Sequence, residues 1–506
     1  MAAIDVVARA NETTTGTDKK RWALVVIAVA QLMIVLDTSV VIVALPSAQR
    51  ALHISVADRQ WVLSAYTLVF GTLLLLGGRL ADYLGRRRML LIGLLGFATA
   101  SALGGLAQNS AMLFGARALQ GAFAALMAPA SLSLLTVTFT EARERARAFG
   151  VYSAVAGGGV AIGLVLGGTL TDLASWRWTL LINVPIALVA AVAVRRVLTE
   201  SRIESRSGYD LRGSALVTAG MFLLVYGFTT AGTDGWGAKV TIGLLGAAAV
   251  SLVAFVLTEL AVANPLLPLR VIIDRHRGGA FLASFFVGIA MLGTFLFLTY
   301  FLQATQHYSA LKTGFAFLPL SGGIIFGAAV ASQLLPRIGP RTLMLSGLAL
   351  TTAGLLLFTR LGVASTFVSG VLPAEIVMSL GLALTFVPMS STALIGIDRR
   401  DAGVASALVN ATQQVGGSLG IALLNTVASS AAAGYLVAHA GGLGSAAAAS
   451  VVPAATVHGY TTAFDVSTVM VVVAFVLTAT LLRGSRRAAQ TEALPELGAE
   501  MADAAA

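Results

Sequence analysis

Residues 77–88 read Gly77-Gly78-Arg79-Leu80-Ala81-Asp82-Tyr83-Leu84-Gly85-Arg86-Arg87-Arg88, and they join two long apolar runs, 59–80 and 88–107. Arginines clustered between two such runs stop a chain at the face of a membrane. That accounts for the charge but leaves the glycines and the acid unexplained. Gly78 lets two helices approach closely, and Gly85 permits a tight turn at positive φ. Asp82 stands where it can cap a neighbouring helix N-terminus or pair with an arginine. The stretch reads as a built turn between two membrane helices.

Working outward, the same kind of apolar run recurs along almost all of the 506 residues. Hydrophobic residues make up 57% and charged residues 11%, with a mean hydropathy of +0.87. A soluble domain carries about a quarter charged residues, whereas about twenty apolar residues in a row cross a bilayer core of ~30 Å. The runs predict helices near 22–45, 59–80, 88–107, 111–136, 146–170, 178–198, 212–230, 238–259, 279–304, 311–334, 341–362, 367–393, 402–431 and 463–482. The expected fold is therefore an all-α polytopic membrane protein of fourteen transmembrane helices. The first run follows a polar tail and is too long for the core of a signal peptide, so it is expected to remain as helix one.

Orientation follows from the basic residues. One set of loops holds Lys19, Lys20, Arg21, the 86–88 cluster, Arg143, Arg145, Arg147, Arg195, Arg196, Arg399, Arg400, Arg486 and Arg487. The alternate loops hold only Arg50, Arg59, Arg177, Lys239, Lys312 and Arg360. Both termini are expected in the cytoplasm, which requires an even number of helices. Trp22, Trp61, Trp176, Trp178 and Trp236 all fall at expected helix ends, as an interfacial belt requires. The sequence Ile338-Gly339-Pro340-Arg341 echoes Leu84-Gly85-Arg86-Arg87 at a similar place in a later helix pair. That repeat predicts two six-helix halves, 22–198 and 279–482, with a linker at 199–211 and two inserted helices at 212–259. Residues 1–21 and 483–506 read as cytoplasmic tails without structure, and 432–462 as an outward loop.

Several function classes drop out. There is no cysteine, so thiolate catalysis, disulfides and cysteine metal sites are excluded. The five histidines are scattered, and no phosphate loop, HExxH pair or GxSxG elbow is present. An enzyme, an ATP-driven pump and a resident metal or cofactor are not expected. The net charge of +10 belongs to topology and does not point to nucleic acid.

The run 77–88 resembles, nearly residue for residue, the loop 2–3 signature of the major facilitator superfamily, where it acts as a charge-relay latch. The resemblance implies that role for Gly78, Asp82, Gly85, Arg86 and Arg87. Leu36-Asp37-Thr38-Ser39-Val40-Val41-Ile42-Val43-Ala44-Leu45-Pro46 is similar to the first-helix motif of the family's fourteen-helix drug:proton antiporter branch. Arg117-Ala118-Leu119-Gln120-Gly121 looks like its fourth-helix motif, associated there with proton transfer. Trp176-Arg177-Trp178 with Asn183-Val184-Pro185, and Ala402-Gly403-Val404-Ala405-Ser406 with Gln413-Gln414-Val415-Gly416-Gly417, resemble its sixth and thirteenth helices. In the fifth helix, Gly159, Gly163, Gly167 and Gly168 match the branch signature, but Leu164 replaces its proline and removes a fixed kink. Gln120, Gly121 and these four glycines are expected to pack helices.

Three ionisable residues fall inside expected helices: Asp37, Arg117 and Glu375. Each costs ~2.5–3.5 kcal/mol on insertion scales and is a functional candidate for that reason. At a rise of about 1.5 Å per residue all three lie at one depth below the outer surface, as a shared proton and cation site would. Tyr66, Phe70, Phe285, Phe286, Phe295 and Phe301 are candidates either for a permissive cavity or for core. The resemblance implies a monomeric proton-coupled exporter of lipophilic, cationic drug-like molecules in a bacterial inner membrane. A dedicated exporter of an endogenous antibiotic or siderophore is the alternative.

Overall fold

The computed structural model describes residues 2–202, 210–262, 265, 267, 269–393, 402–440 and 445–482, and among them it is helical with short connections. The helices are α1 (Ala2–Ala51), α2 (Trp61–Leu84), α3 (Arg86–Gly105), α4 (Ser110–Thr138), α5 (Ala142–Leu173), α6 (Trp178–Leu181), α7 (Asn183–Val197), α8 (Leu211–Asp234) and α9 (Lys239–Ala261). There follow α10 (Leu269–Ile273), α11 (Arg275–Tyr300), α12 (Ala310–Ala316), α13 (Leu318–Ile338), α14 (Pro340–Phe358), α15 (Leu372–Thr392), α16 (Ala402–Ala440) and α17 (Ser445–Leu481). Only structures that satisfy every backbone polar group internally survive in hydrocarbon, and helices do so within one segment.

Thirteen helices among the described residues are long and apolar enough to cross a membrane. α5 adds a further apolar stretch, Gly158–Leu173, after the charged first turns that carry Arg143, Glu144, Arg145 and Arg147. Large apolar side chains such as Val250 (71% exposed) and Leu260 (66%) on α9 form part of a lipid-facing belt.

Turns are set by identifiable residues. Asn109 caps α4 by accepting from the Met112 N–H at 2.9 Å, and Asp210 caps α8 by accepting from the Gly213 N–H at 2.8 Å. Gly85 at φ 106° separates α2 from α3, and Gly339 at φ 78° separates α13 from α14. The two positions paired by the sequence repeat therefore make the same left-handed break, which glycine adopts without a Cβ penalty.

α1 packs on α5, α4 and α7, while α4 also packs on α2 and α3. In the later part, α11 packs on α16 and α17, and α15 lies between α13 and α14. The two groups, α1–α7 and α11–α17, meet chiefly along α2–α16 and α5–α12, and the α8–α9 pair lies against α2 and α16.

The structure departs from the expected layout in four places. The N-terminal stretch read as an unstructured tail continues α1 back to Ala2. The 432–462 stretch read as a loop is mostly helical, because α16 runs to Ala440 and α17 begins at Ser445; it is rich in alanine, the strongest helix former. Trp61 and Trp176 are buried at 9% and 6% exposure and do not join the belt of Trp22, Trp178 and Trp236. Trp61 packs against Phe222 and Tyr226 of α8, and Trp176 lies under the Arg177 guanidinium. Finally, Gly77 is the residue that lets α2 approach α4: a Cβ there would overlap the Ala125 carbonyl, whereas at Gly78 it would make an ordinary 3.5 Å contact with Pro129. The expected tail at 483–506 lies outside the described residues.

Candidate functional site: a buried ion pair among α1, α4 and α7

Asp37 on α1 and Arg117 on α4 form an ion pair with both side chains wholly enclosed. The second carboxylate oxygen accepts from Gln120 Nε2 at 2.8 Å and from Asn183 Nδ2, the first residue of α7, at 3.0 Å. Gln120 also donates to Ser101 Oγ on α3 at 2.8 Å, and its Oε1 accepts from Arg117 at 2.9 Å. Arg117 Nε donates to the Val62 carbonyl at 2.9 Å, in the first turn of α2. Its guanidinium carbon lies 4.5 Å from the centre of the Tyr66 ring. One cluster therefore ties together α1, α2, α3, α4 and α7.

Burying two charges costs several kcal/mol per ion, and mutual attraction offsets this only when the remaining donors and acceptors are met. Here Asp37 takes three side-chain donors, and Arg117 gives to a carboxylate, an amide and a carbonyl while facing an aromatic ring. Arg117 Nη2 has no hydrogen-bond partner among the described residues. Arg117 also lines a cavity of about 10 Å³ with Val41, Leu45, Leu113 and Trp176, roughly the room of one water. A drug-sized molecule does not fit beside the pair in this conformation.

Glu375 does not join this site. It lies in the first turn of α15, wholly buried, and neither carboxylate oxygen has a hydrogen-bond partner among the described residues. The equal depth read from the sequence is no guide to lateral position, since α15 packs chiefly against α13 and α14. Of the aromatic candidates, Phe295 and Phe301 are core residues at 3% and 1% exposure, and Phe285 packs edge-on to Phe286 at 5.4 Å. Phe70 is buried 5.7 Å from Tyr66, which alone among them touches the ion pair.

At the 77–88 turn, Asp82 Oδ1 accepts from Arg86 Nε and Nη2 at 3.0 and 2.8 Å. The sequence reading missed Glu200, which follows α7. Its carboxylate accepts the backbone N–H groups of Arg87 and Arg88, both at 3.1 Å, and so caps the N-terminus of α3. Ser201 accepts from Arg86 N–H at 3.0 Å, and Arg87 Nη2 donates to the Arg195 carbonyl at 2.8 Å. Gly85 is tight against Glu200: a Cβ there would stand 2.6 Å from the carboxylate carbon. The signal for Glu200 was an acid just beyond Arg195 and Arg196 at the arginine-rich end.

The glycines of the fifth helix divide between two neighbours. Gly159, Gly163 and Gly167 face α1 at Val35, Ser39 and Val40, which carries Asp37 between them. Gly168 faces Ala310 and Leu311 of α12, and Gly314 of α12 faces the Leu164 carbonyl in return. Leu164, in the proline position, is buried within a continuous α5. Gly121 packs on Tyr66, since a Cβ there would overlap its carbonyl. Gln120, expected as a packing residue, is a hydrogen-bonding member of the cluster; Asn183, quoted only within the sixth-helix motif, and Ser101, not singled out, join it.

A sequence model described as Major Facilitator Superfamily matches residues 27–421. The puromycin resistance protein pur8 of Streptomyces alboniger is 47% identical over 487 residues, covering 96% of this chain and 94% of that protein. The cephamycin export protein CmcT of Amycolatopsis lactamdurans is 38% identical, covering 84% of this chain and 88% of its own length. Among solved structures, a bacterial homolog to the human lysosomal transporter Spinster has a TM-score of 0.64 at 16% identity, covering 92% of this chain and 99% of that one, a likeness of fold. With these matches spanning most of its length, the chain belongs to the Major Facilitator Superfamily and is a multi-pass membrane transporter, not an enzyme, among relatives named for antibiotic resistance and export.

Proposed function

We propose that the chain is a proton-driven exporter of lipophilic, cationic drug-like molecules across a bacterial inner membrane. The observation that carries this reading is the wholly buried Asp37–Arg117 pair. An acid in that position is neutralised either by its arginine or by a proton, and exchange between the two is a coupling device. Protonation of Asp37 releases Arg117 and loosens the ties among α1, α2 and α4 inside the first group; α2 and α5, which pack on this cluster's helices, meet α16 and α12 of the second group and pass the change to the seam about which the groups rock. A cationic substrate favours the ionised acid and competes with the proton. Glu375, in the other group, is a second carboxyl for the same proton traffic.

The arrangement adopted here has fourteen membrane helices, with α5 as the fourteenth and α8–α9 inserted between two six-helix halves. The asymmetry of arginines supports cytoplasmic termini, so that the 84–88 turn faces the cytoplasm and the 51–60 connection faces outward. The transporter acts as a monomer. Purified protein in vesicles with an imposed pH gradient tests the reading, with ethidium and puromycin as probes. Both should move against their gradients while the pH gradient lasts and stop when an ionophore dissipates it. Movement that ignores the pH gradient would sink proton coupling.

A second reading is favoured by relatives named for single antibiotics, puromycin and cephamycin. A dedicated exporter of one endogenous compound would move one antibiotic of such a panel and leave ethidium behind.

A further inference from the structure

Arg59 precedes α2 and is 5% exposed, yet no carboxylate lies within ion-pair distance of it among the described residues. A buried cation without compensation is costly, so other groups must hold it. They come from the opposite group of helices. The guanidinium carbon lies 4.0 Å from the centre of the Tyr300 ring at the end of α11. Arg59 Nε donates to Asn425 Oδ1 on α16 at 3.0 Å, and Tyr460 of α17 lies against the same side chain. The grip is reciprocal: Asn425 Nδ2 donates to the Val56 carbonyl at 2.9 Å, and the Tyr300 hydroxyl donates to Gln49 Oε1 near the end of α1.

Further ties cluster at the same end. Gln303 Nε2 donates to the Val43 carbonyl at 2.8 Å. The Asp172 carboxylate accepts from the N–H groups of Ala310 and Leu311 at 3.1 and 2.8 Å, capping α12 from the end of α5. At the arginine-rich end, among the described residues, Asp82, Arg86, Arg87 and Arg88 bond only within the first part of the chain, up to Ser201, and Arg79 reaches the α9–α10 connection at the Pro265 carbonyl, 2.8 Å away, short of the second group α11–α17. The two groups are thus tied at the end holding Arg59.

We propose that Arg59 is the positioning residue that locks the outer gate: clamped by Tyr300, Tyr460 and Asn425, it holds the outer ends of the two halves shut and releases when the transporter opens outward. The placement of this end outside rests on the topology proposed above. The residue types suit a lock that must open in every cycle. Only a planar guanidinium can lie on a ring and donate sideways to an amide at once. The partners are neutral, so opening strands no buried anion, as loss of a carboxylate partner would.

The absence of native cysteine makes the test direct. Ser64 is buried on α2, and its hydroxyl and that of Ser418 each donate to the other's carbonyl at 3.4 Å across the seam. A Ser64→Cys reporter should react with a membrane-impermeant maleimide only while the outer gate is open. In intact cells its labelling should be slow, and Arg59→Gln or Tyr300→Leu should each speed it roughly tenfold. Arg59→Lys should fall between, keeping the charge but not the fork. In transport, the same variants should raise the apparent KM for substrate taken from the cytoplasmic side while sparing the maximal rate, because the inward-open population falls. A merely structural role would instead lower both maximal rate and protein level. If Arg59→Gln does not accumulate, Tyr300→Leu and Asn425→Leu remove the clamp from the other side. Unchanged outside labelling in the clamp variants at equal protein level would overturn the lock. Faster labelling confined to inside-out vesicles would place this end in the cytoplasm and overturn it too. The labelling needs no transport, so it fails separately from the proposed export.

Discussion

Replacing Asp37 by asparagine removes the charge but leaves the shape, and the surroundings show why this is not a mild change. Asp37 receives only donors: Arg117 on one oxygen, and Gln120 and Asn183 on the other. An asparagine offers one acceptor oxygen and must point its amide N–H₂ at donors on the other side. Arg117, wholly buried, then lacks its ion-pair partner. Breaking a buried pair by removing one member costs ~3–5 kcal/mol. The expected outcome is a lower midpoint in a thermal-aggregation assay of the purified protein, together with loss of pH-gradient-driven efflux. The double variant Asp37→Leu with Arg117→Met separates the two effects. Replacing a buried ion pair by apolar residues of similar size is often neutral or stabilising by ~1–4 kcal/mol, set against ~1–3 kcal/mol for leaving the Asn183 amide without Asp37, so the midpoint should rise above that of Asp37→Asn while coupled transport does not return. Full gradient-driven transport by Asp37→Asn would remove Asp37 from coupling, and an unchanged midpoint would show that the pair is not sealed as described.

Glu375→Gln should behave in the opposite way. With neither oxygen bonded among the described residues, the change strands no partner there, so the midpoint should hold or rise; if Glu375 carries a proton, fewer protons should move per substrate in a pH-dye assay, and an unaltered ratio would exclude that role. Gly77→Val should block the approach of α2 to α4 and lower the midpoint by an overpacking cost of ~1–3 kcal/mol or more, while Gly78→Ala, facing Pro129 at 3.5 Å, should be tolerated; equal effects would contradict the packing described. Glu200→Gln should weaken the charged cap on α3 by ~0.3–1 kcal/mol and, like Asp82→Asn, reduce transport at unchanged protein level. Normal transport by both variants would leave the 77–88 cluster with a topological role alone.

What the sequence could and could not reveal follows from the kind of signal each feature leaves. Helix existence was legible because a lipid-crossing segment must be apolar for about twenty residues, and the breaks at Gly85 and Gly339 were legible because the left-handed region favours glycine. The 432–462 stretch misled because alanine is both apolar and helix-forming, so neither polarity nor length marks where the membrane ends. Asp37 and Arg117 stood out by being charged where charge is expensive. Their shell did not: Ser101, Gln120 and Asn183 are cheaper to bury, and nothing in their spacing says which helix faces which. Glu375 shows the same limit from the other side. A rise per residue fixes depth along a helix, whereas pairing depends on lateral position, which only the packing of α15 away from the α1–α4 contact decides. Arg59 was counted as one of the few basic residues on the outward side, a statement about topology. Its role depends on Tyr300, Asn425 and Tyr460, more than 240 residues further on, and two tyrosines and an asparagine in apolar helices carry no charge that would have drawn attention to a partner.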